Sequence, residues 1–280
     1  MNNFELFKLK RAGLSNLNIL AILDYQKRVG KSLSIRDMAV ISKCKKPVLF
    51  MEKYKNTDSK TLREEFNQFP SISILDKEYP LELKTIYNPP VLLFYHGNIE
   101  LLSKPKLAVV GARQASQAGI QSVQKIVSEL NNHFVIVSGL ARGIDTSAHI
   151  ASLKNGGSTL AIVGTGLDVY YPKENAKLQD FIGKNHLILS EYEVGQQPLK
   201  YHFPERNRII AGLSYGIIVV EAKMRSGSLI TCERALEEGR DIFAIPGNIL
   251  DGKSDGCHHL IQEGAKCISS GLDVLSEYQF

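Results

Sequence analysis

The sequence predicts an α/β protein in which a mostly parallel sheet is covered by helices on both faces and follows a small all-helical domain. From Leu107 onward, apolar strand-like runs alternate with helical stretches, which is the pattern of parallel strands joined by crossover helices. The runs are continuously apolar, as strands buried on both faces require. Residues 1–65 instead show helical periodicity without a strand pattern, which predicts the separate helical domain.

Three amphipathic helices are predicted within residues 1–65. The first follows Ser15, a good N-cap residue, the second covers Ile35 to Ile41, and the third begins after Pro47. The segment carries 14 basic and 7 acidic residues, whereas the rest of the chain carries 20 basic and 22 acidic residues. This positive charge is compatible with weak contact to DNA and equally with solvated lysines on helix faces.

Residues 66–106 form a lead-in to the large domain. Five prolines separate two short β-like runs, SISIL and VLLFYHG. Proline is confined to edge strands because it cannot donate a ladder hydrogen bond. We therefore predict an extended strand at a sheet edge and a large domain that spans residues 66–280.

Seven strands are predicted in the remainder of the large domain. They are LAVVG (107–111), FVIVSG (134–139), TLAIVG (159–164), HLILSEY (186–192), GIIVVEA (216–222), DIFAIPG (241–247) and the short KCIS (266–269). Ligands of such sheets bind beyond the carboxyl ends of the strands. The functional residues are therefore expected in the turns that follow these runs.

Glycine- and serine-rich turns follow five of the predicted strands. They are Gly111–Ser116, Ser138–Asp145, Gly164–Asp168, Ser226–Thr231 and Pro246–Asn248, with the cations Arg113, Arg142, Lys173, Arg206, Arg208 and Arg225 nearby. Small residues let an anion approach backbone N–H groups, most favourably where a helix begins. Together, the turns and cations indicate phosphate binding.

The segment 200–208 combines aromatic and cationic side chains. Bases of single-stranded nucleic acid stack on aromatic rings while cations follow the phosphates. Phe203 suits such stacking and suits core packing equally well. Asn207 lies between two arginines, where it could bind a base edge or cap the helix that follows.

Enzyme signatures are missing from the sequence. It contains no dinucleotide fingerprint, no P-loop, no nucleophile elbow and no acidic cluster for two metals. Asp145 is expected to brace its glycine turn, Glu221 to pair with an arginine, and His149 to be packed or exposed rather than a base. We predict no catalytic residue and no cofactor.

Neither a metal site nor a membrane segment is predicted. The four cysteines lack CxxC pairing, and Cys257-His258-His259 lacks the paired spacing of a zinc site. No run of about 18 apolar residues occurs. The N-terminal residues also lack the apolar region of a signal peptide, which favours a cytoplasmic protein.

Several long motifs resemble the DprA/Smf family of DNA-processing proteins. They are SGLARGID, GTGLDVYYPKEN, FPERNRIIAGLS, EAKMRSGSLITCERALEEGRDIFAIPG and SDGCHHLIQEGA. The lead-in resembles that family too, and residues 1–65 are similar to its sterile-alpha-motif domain. The resemblance implies an extended Rossmann fold and a non-enzymatic homodimer. Such a dimer binds single-stranded DNA during natural transformation, protects it, and loads RecA past single-strand-binding protein.

The resemblance also implies the DNA-contacting residues. They are Arg113, Ser138, Gly139, Arg142, Gly143, Lys173, Lys200, Phe203, Arg206, Asn207, Arg208, Ser226, Gly227 and Ser228. The apolar residues Leu260, Ile261, Cys267 and Ile268 could form the dimer face, although packing of the final helix explains them equally well. Many relatives continue into a C-terminal winged-helix-like domain, whereas this sequence ends at Phe280 and resembles the short form.

The alternative function is a Rossmann-like nucleotide phosphoribohydrolase of the LOG type. Those enzymes also bind phosphate at glycine-rich turns. They carry a P-G-G-x-G-T-x-x-E stretch where this chain has Met224-Arg225-Ser226-Gly227-Ser228-Leu229-Ile230-Thr231. The acid nearest that position, Glu233, does not keep the spacing, which favours the DNA-binding interpretation.

Overall fold

The computed structural model describes residues 1–278. The chain divides into two compact units, Met1–Phe94 and Tyr95–Phe280. The predicted boundary after residue 65 stays a prediction. Residues 279 and 280, the last two of the predicted large domain, lie outside the described residues.

The first unit is helical and ends in a short antiparallel strand pair. Its helices are α1 (Asn3–Arg11), α2 (Asn16–Val29), α3 (Ile35–Ile41), α4 (Pro47–Asn56), α5 (Ser59–Phe66) and α6 (Leu81–Lys84). The three predicted helices are confirmed as α2, α3 and α4. Ser15 caps α2 as predicted, since its hydroxyl accepts the Asn18 N–H at 3.3 Å. Helices α1, α5 and α6 were not predicted.

An aromatic cluster stabilises this first unit. The Phe7 ring lies 5.5 Å from both Phe66 and Phe94, joining α1, α5 and the strand β2 (Leu92–Gly97), which begins in this unit and ends in the next. Strand β1 (Ser71–Ser73) pairs with β2, with Ile72 opposite Leu93. Both lead-in runs are therefore strands, as predicted.

The second unit contains a parallel sheet. Its strands are β3 (Lys106–Gly111), β4 (Val135–Ser138), β5 (Thr159–Val163), β6 (Leu187–Ser190), β7 (Gly216–Val220), β8 (Asp241–Ala244) and β9 (Lys266–Cys267). They lie in the order β6-β5-β4-β3-β7-β8-β9, and each neighbouring pair is parallel. All seven predicted strands are confirmed.

The strand order fixes where a ligand crevice opens. The chain adds strands on one side of β3 as far as β6 and then returns to the other side with β7. The turns after β3 and β7 consequently diverge to opposite faces, and a crevice forms between them. The switch point lies at the carboxyl ends Gly111 and Val220, which are paired in register.

Helices cover both faces of this sheet, as predicted. They are α7 (Gln117–Glu129), α8 (Ile144–Lys154), α9 (Ala176–Asn185), α10 (His202–Leu213), α11 (Gly227–Glu237), α12 (Asp255–Gln262) and α13 (Gly271–Leu275). Helices α7 and α8 pack on a core that includes Leu107, Ile136 and Ile218. Helices α10 and α11 pack against each other, and α10 contacts β3 and β5.

His149 of α8 is fully buried, which confirms the packed environment that was one of its two predicted settings. Its Nδ1 lies 2.6 Å from the Thr159 hydroxyl, which itself donates to the Ile136 carbonyl at 2.8 Å. The hydroxyl must therefore accept from a protonated Nδ1, and Nε2 is buried without a partner among the described residues, where a second proton would be poorly solvated. Burial, with a further contribution from the Arg206 charge, lowers the pKa of His149 to about 3.

This histidine is expected to make stability depend on pH. Below its ordinary pKa of 6.5 the unfolded chain binds a proton that the folded chain does not, so stability falls as pH falls from 6.5 toward 3. The loss from His149 between pH 7 and pH 5 is about 2 kcal/mol. Urea unfolding of the wild type and His149→Asn across this range should show a steeper decline for the wild type. Parallel curves would contradict this assignment.

Candidate nucleic-acid interface

A cavity of about 670 Å³ opens at the switch point between β3 and β7. Its lining comes mainly from the turns after these two strands, from α10 and from the start of α11, and it also includes Ala141, Asp145, Tyr171 and Lys200. Eight of the predicted DNA-contacting residues line it: Arg113, Lys200, Phe203, Arg206, Asn207, Ser226, Gly227 and Ser228. The structure thus brings together side chains that are up to 115 residues apart in sequence.

The turn after β7 presents an open helix N-terminus to this cavity. Ser226 occupies the N-cap position of α11, yet its side chain makes no capping hydrogen bond, and its Oγ is buried without a partner among the described residues. A Cβ on Gly227 would meet nothing within 4 Å. Because the first N–H groups of a helix lack intrahelical partners, this end can receive an anion.

The turn after β3 is occupied by a carboxylate. Glu221 accepts the Ser116 backbone N–H at 2.8 Å and also accepts the Ser116 hydroxyl. The Ser116 Oγ in turn accepts the Gly119 N–H at 3.1 Å, which caps α7. The prediction that Glu221 pairs with an arginine is therefore wrong, because the carboxylate instead binds the start of α7.

The turn after β4 is occupied in the same way. The Asp145 carboxylate accepts the backbone N–H groups of Gly139 at 3.1 Å and Ala141 at 3.3 Å. The prediction that Asp145 braces its glycine turn is confirmed. Burial raises the pKa of Asp145, and the nearby Arg206 charge and these two amides act in the opposite direction.

Protein groups also occupy the glycine turns after β5 and β8. The Gly166 N–H donates to the Gln196 carbonyl at 2.9 Å, and Nε2 of His258 lies 3.0 Å from the Gly247 carbonyl oxygen and 3.3 Å from the Gly247 nitrogen. Of the five glycine-rich turns singled out in the sequence, the one at Ser226 therefore keeps an uncapped helix start beside the cavity.

Arg206 lies beneath the cavity rather than on its rim. Its side chain is buried, and Nη1 donates to the carbonyl oxygens of Gly139, at 2.6 Å, and Ile162. A Cβ on Gly139 would lie 2.4 Å from Nη2 of Arg206, so only glycine leaves room for this guanidinium. Burial lowers the pKa of Arg206 to about 10. Its position is that of a brace between two strand ends.

An aromatic and cationic wall closes one side of the cavity. The Arg113 guanidinium lies 5.6 Å from the centroid of the Phe203 ring. The centroids of the Tyr171 and Phe203 rings are 5.4 Å apart, and the angle between the two ring planes is 36°. Lys200 and Arg113 are exposed. The Asn207 amide donates to the Gly227 carbonyl at 3.4 Å from within α10, so of the two roles left open for it, capping a following helix is wrong.

The remaining predicted contacts lie off the cavity. The Ser138 hydroxyl is buried and donates to the Val109 carbonyl at 2.7 Å, and Arg142 and Arg208 form ion pairs with Glu174 and Glu191. Gly143 has φ 74°, and a Cβ there would lie 2.2 Å from the Ala112 carbonyl oxygen. Lys173 is exposed at a short 3₁₀ turn. A DNA contact by these residues stays a prediction.

The residues predicted for a dimer face differ in exposure. Leu260 and Ile268 are 8% and 2% exposed and belong to the protomer core. Ile261 is partly exposed and Cys267 is exposed. Of the four, Ile261 and Cys267 are therefore the side chains available for self-association.

Residues 1–278 contain no cluster of metal-ligating side chains and no helix that is long and apolar enough to cross a membrane. The four cysteines are free.

The fold and the cavity define a Rossmann-like α/β protein with a crevice at its switch point that is lined by cationic, aromatic and small residues. The chain belongs to the family of DNA recombination-mediator protein A, whose model matches residues 71–279. Residues 1–62 match the DNA processing protein A sterile alpha motif domain. The resemblance to the DprA/Smf family is thereby confirmed.

Three relatives illustrate the match. DNA processing protein DprA of Streptococcus pneumoniae is 62% identical over 280 residues, covering 100% of this chain and 99% of the relative, and its X-ray structure superposes with a TM-score of 0.98. DprA of Bacillus subtilis is 47% identical over 74% of this chain and 70% of its own. A Helicobacter pylori DprA structure, described as showing a single-stranded DNA binding mode, is 31% identical over 76% of this chain and 99% of its own, with a TM-score of 0.68.

Proposed function

We propose that this protein is a recombination mediator that binds single-stranded DNA in its switch-point cavity. In natural transformation it protects incoming strands in the cytoplasm and loads RecA onto them past single-strand-binding protein. Family membership and the single-stranded DNA binding of the H. pylori relative support this proposal.

The observation that carries the proposal is the composition of the cavity. One wall offers the uncapped start of α11, which suits a phosphate, and the rim offers the cations Arg113 and Lys200. The lining also offers the aromatic rings of Tyr171 and Phe203, which suit unstacked bases. A single-stranded nucleic acid uses both features, because in a duplex the bases are stacked on one another, and the relatives named above favour DNA.

A binding role, rather than hydrolysis, also fits the acids of the site. Among the described residues that line the cavity, Asp145 is the one carboxylate, and two backbone amides hold it. A general base needs access to the proton that it removes, and this carboxylate is buried under its own turn.

The proposal predicts salt-dependent binding that prefers the single strand. Each phosphate neutralised on a single strand contributes about 0.7 to the slope of log affinity against log salt. Fluorescence-anisotropy titrations with labelled single- and double-stranded oligonucleotides of one sequence would measure both properties. Equal affinity for the two forms, or an affinity independent of salt, would contradict the proposal.

RecA loading is tested separately from DNA binding. RecA filaments should assemble faster on strands coated with single-strand-binding protein when this protein is added. If DNA binding is observed without acceleration of RecA assembly, the mediator part of the proposal is wrong.

We further propose that the active form is a homodimer whose two cavities act on one strand. Ile261→Glu places a charge on the partly exposed apolar residue of the proposed face, so it is expected to yield a monomer. Gln262→Glu, which adds the same charge at the exposed neighbouring position, serves as the control. Light scattering during gel filtration would measure the mass. A wild type that is monomeric at micromolar concentration, or an Ile261→Glu variant that stays dimeric, would contradict the proposal.

A further inference from the structure

Two adjacent tyrosines beside the cavity face different surroundings. Tyr170 and Tyr171 are similarly exposed, at 42% and 40%. The Tyr170 hydroxyl donates to Asp180 at 2.6 Å, and Tyr170 does not line the cavity. Tyr171 lines the cavity, with its ring against Phe203.

Phe203 supports this aromatic wall from behind. A Cβ on Gly164, at the end of β5, would lie 3.3 Å from the Phe203 ring, so that ring rests on the glycine backbone. Phe203 is only partly exposed, whereas Tyr171 and Arg113 are exposed. Tyr171 therefore supplies most of the accessible aromatic surface of the wall, and the Phe203 ring packs against the Tyr171 ring and supports it.

We propose that Tyr171 is the base-stacking residue of the site, with Phe203 as its support. The inference rests on the proposed function and adds to it a nucleobase subsite in the same cavity as the Ser226–Ser228 phosphate position. An exposed aromatic ring on the wall of a cavity large enough for a nucleotide offers a base a flat apolar partner. Because every base has a π-face, the subsite accepts all four bases.

Arg113 gives this subsite a cation at its edge. The guanidinium lies within the range of a cation–π contact with Phe203 and remains exposed to solvent. Its charge can therefore meet the phosphate of the nucleotide whose base lies on Tyr171. Tyr171 can therefore stack on the base of a nucleotide while Arg113 meets its phosphate. An abasic strand, which keeps the phosphate and lacks the base, separates the two contributions to affinity.

The first experiment uses tryptophan fluorescence, since the chain contains no tryptophan. Tyr171→Trp places a single indole at the proposed subsite, and Tyr170→Trp places one at the neighbouring position as the matched control. We expect an oligo-dT to quench the emission of Tyr171→Trp by at least about half, because a stacked base quenches indole. The same oligonucleotide should leave Tyr170→Trp almost unchanged. Equal responses of the two variants would overturn the inference.

The second experiment compares affinities for normal and abasic oligonucleotides of equal length. Tyr171→Ala should weaken dT binding by about tenfold, and Tyr171→Phe should restore most of the affinity. On the abasic strand the wild type and Tyr171→Ala should bind equally. If Tyr171→Ala binds dT as the wild type does, or loses as much affinity for the abasic strand, the inference is wrong. If the wild type fails to bind single-stranded DNA at all, the proposed function itself fails.

Discussion

Replacing Arg113 and Lys200 together with alanine is expected to weaken binding to single-stranded DNA by at least about 100-fold at moderate salt. Both side chains are exposed on the cavity rim, and hydrogen bonds to a charged group contribute about 1.5–3 kcal/mol each. The slope of log affinity against log salt should also fall by about 1.4, the value for two phosphates on a single strand. Anisotropy titrations over a range of salt concentrations measure both effects.

The matched control removes two positive charges elsewhere. Lys154 and Lys184 are exposed and do not line the cavity, so their double alanine variant has the same net charge as the rim variant. We expect it to keep nearly the affinity of the wild type. Equal losses in the two variants would mean that general charge, rather than the cavity, holds the DNA.

Arg206→Ala is expected to lower the free energy of unfolding by about 3–5 kcal/mol, the usual effect of removing one partner from a buried charged arrangement. The substitution leaves the carbonyl oxygens of Gly139 and Ile162 without their donor and leaves Asp145 without its nearby positive charge. Urea unfolding followed by circular dichroism measures the loss.

Arg142→Ala serves as the comparison for Arg206→Ala. Arg142 carries the same side chain, but its ion pair with Glu174 is exposed to solvent, so stability should hardly change. An Arg206→Ala variant that is as stable as the wild type and yet fails to bind DNA would contradict the role of Arg206 as a brace and return it to the DNA-contacting residues.

The sequence predicts the parallel sheet because its strands are long apolar runs, and all seven were located. It does not reveal α1 or α5, whose exposed faces dilute a short apolar pattern. For α1 a signal was present, since Asn2 and Glu5 form a capping box. Sequence periodicity alone gave these two polar residues no structural meaning.

The candidate site was predicted in outline but not in detail. The sequence locates the glycine turns, yet it cannot show which of them stays open. That depends on contacts between distant residues, such as Glu221 with Ser116, which are 105 positions apart. Burial of Arg206 beneath Gly139 is likewise a tertiary feature, and it separates this arginine from Arg113, which the sequence treats in the same way.

The most direct test of the account is an amide chemical-shift titration of the ¹⁵N-labelled protein with a short oligo-dT. We predict that the Gly227 and Ser228 amide resonances shift strongly, because these are the first two residues of α11 and both line the cavity. The Ser116 and Gly139 amides should move little, since the carboxylates of Glu221 and Asp145 already hold them. Large shifts at Ser116 and Gly139 with none at Gly227 and Ser228 would contradict the proposal that the single strand is held at the open turn after β7.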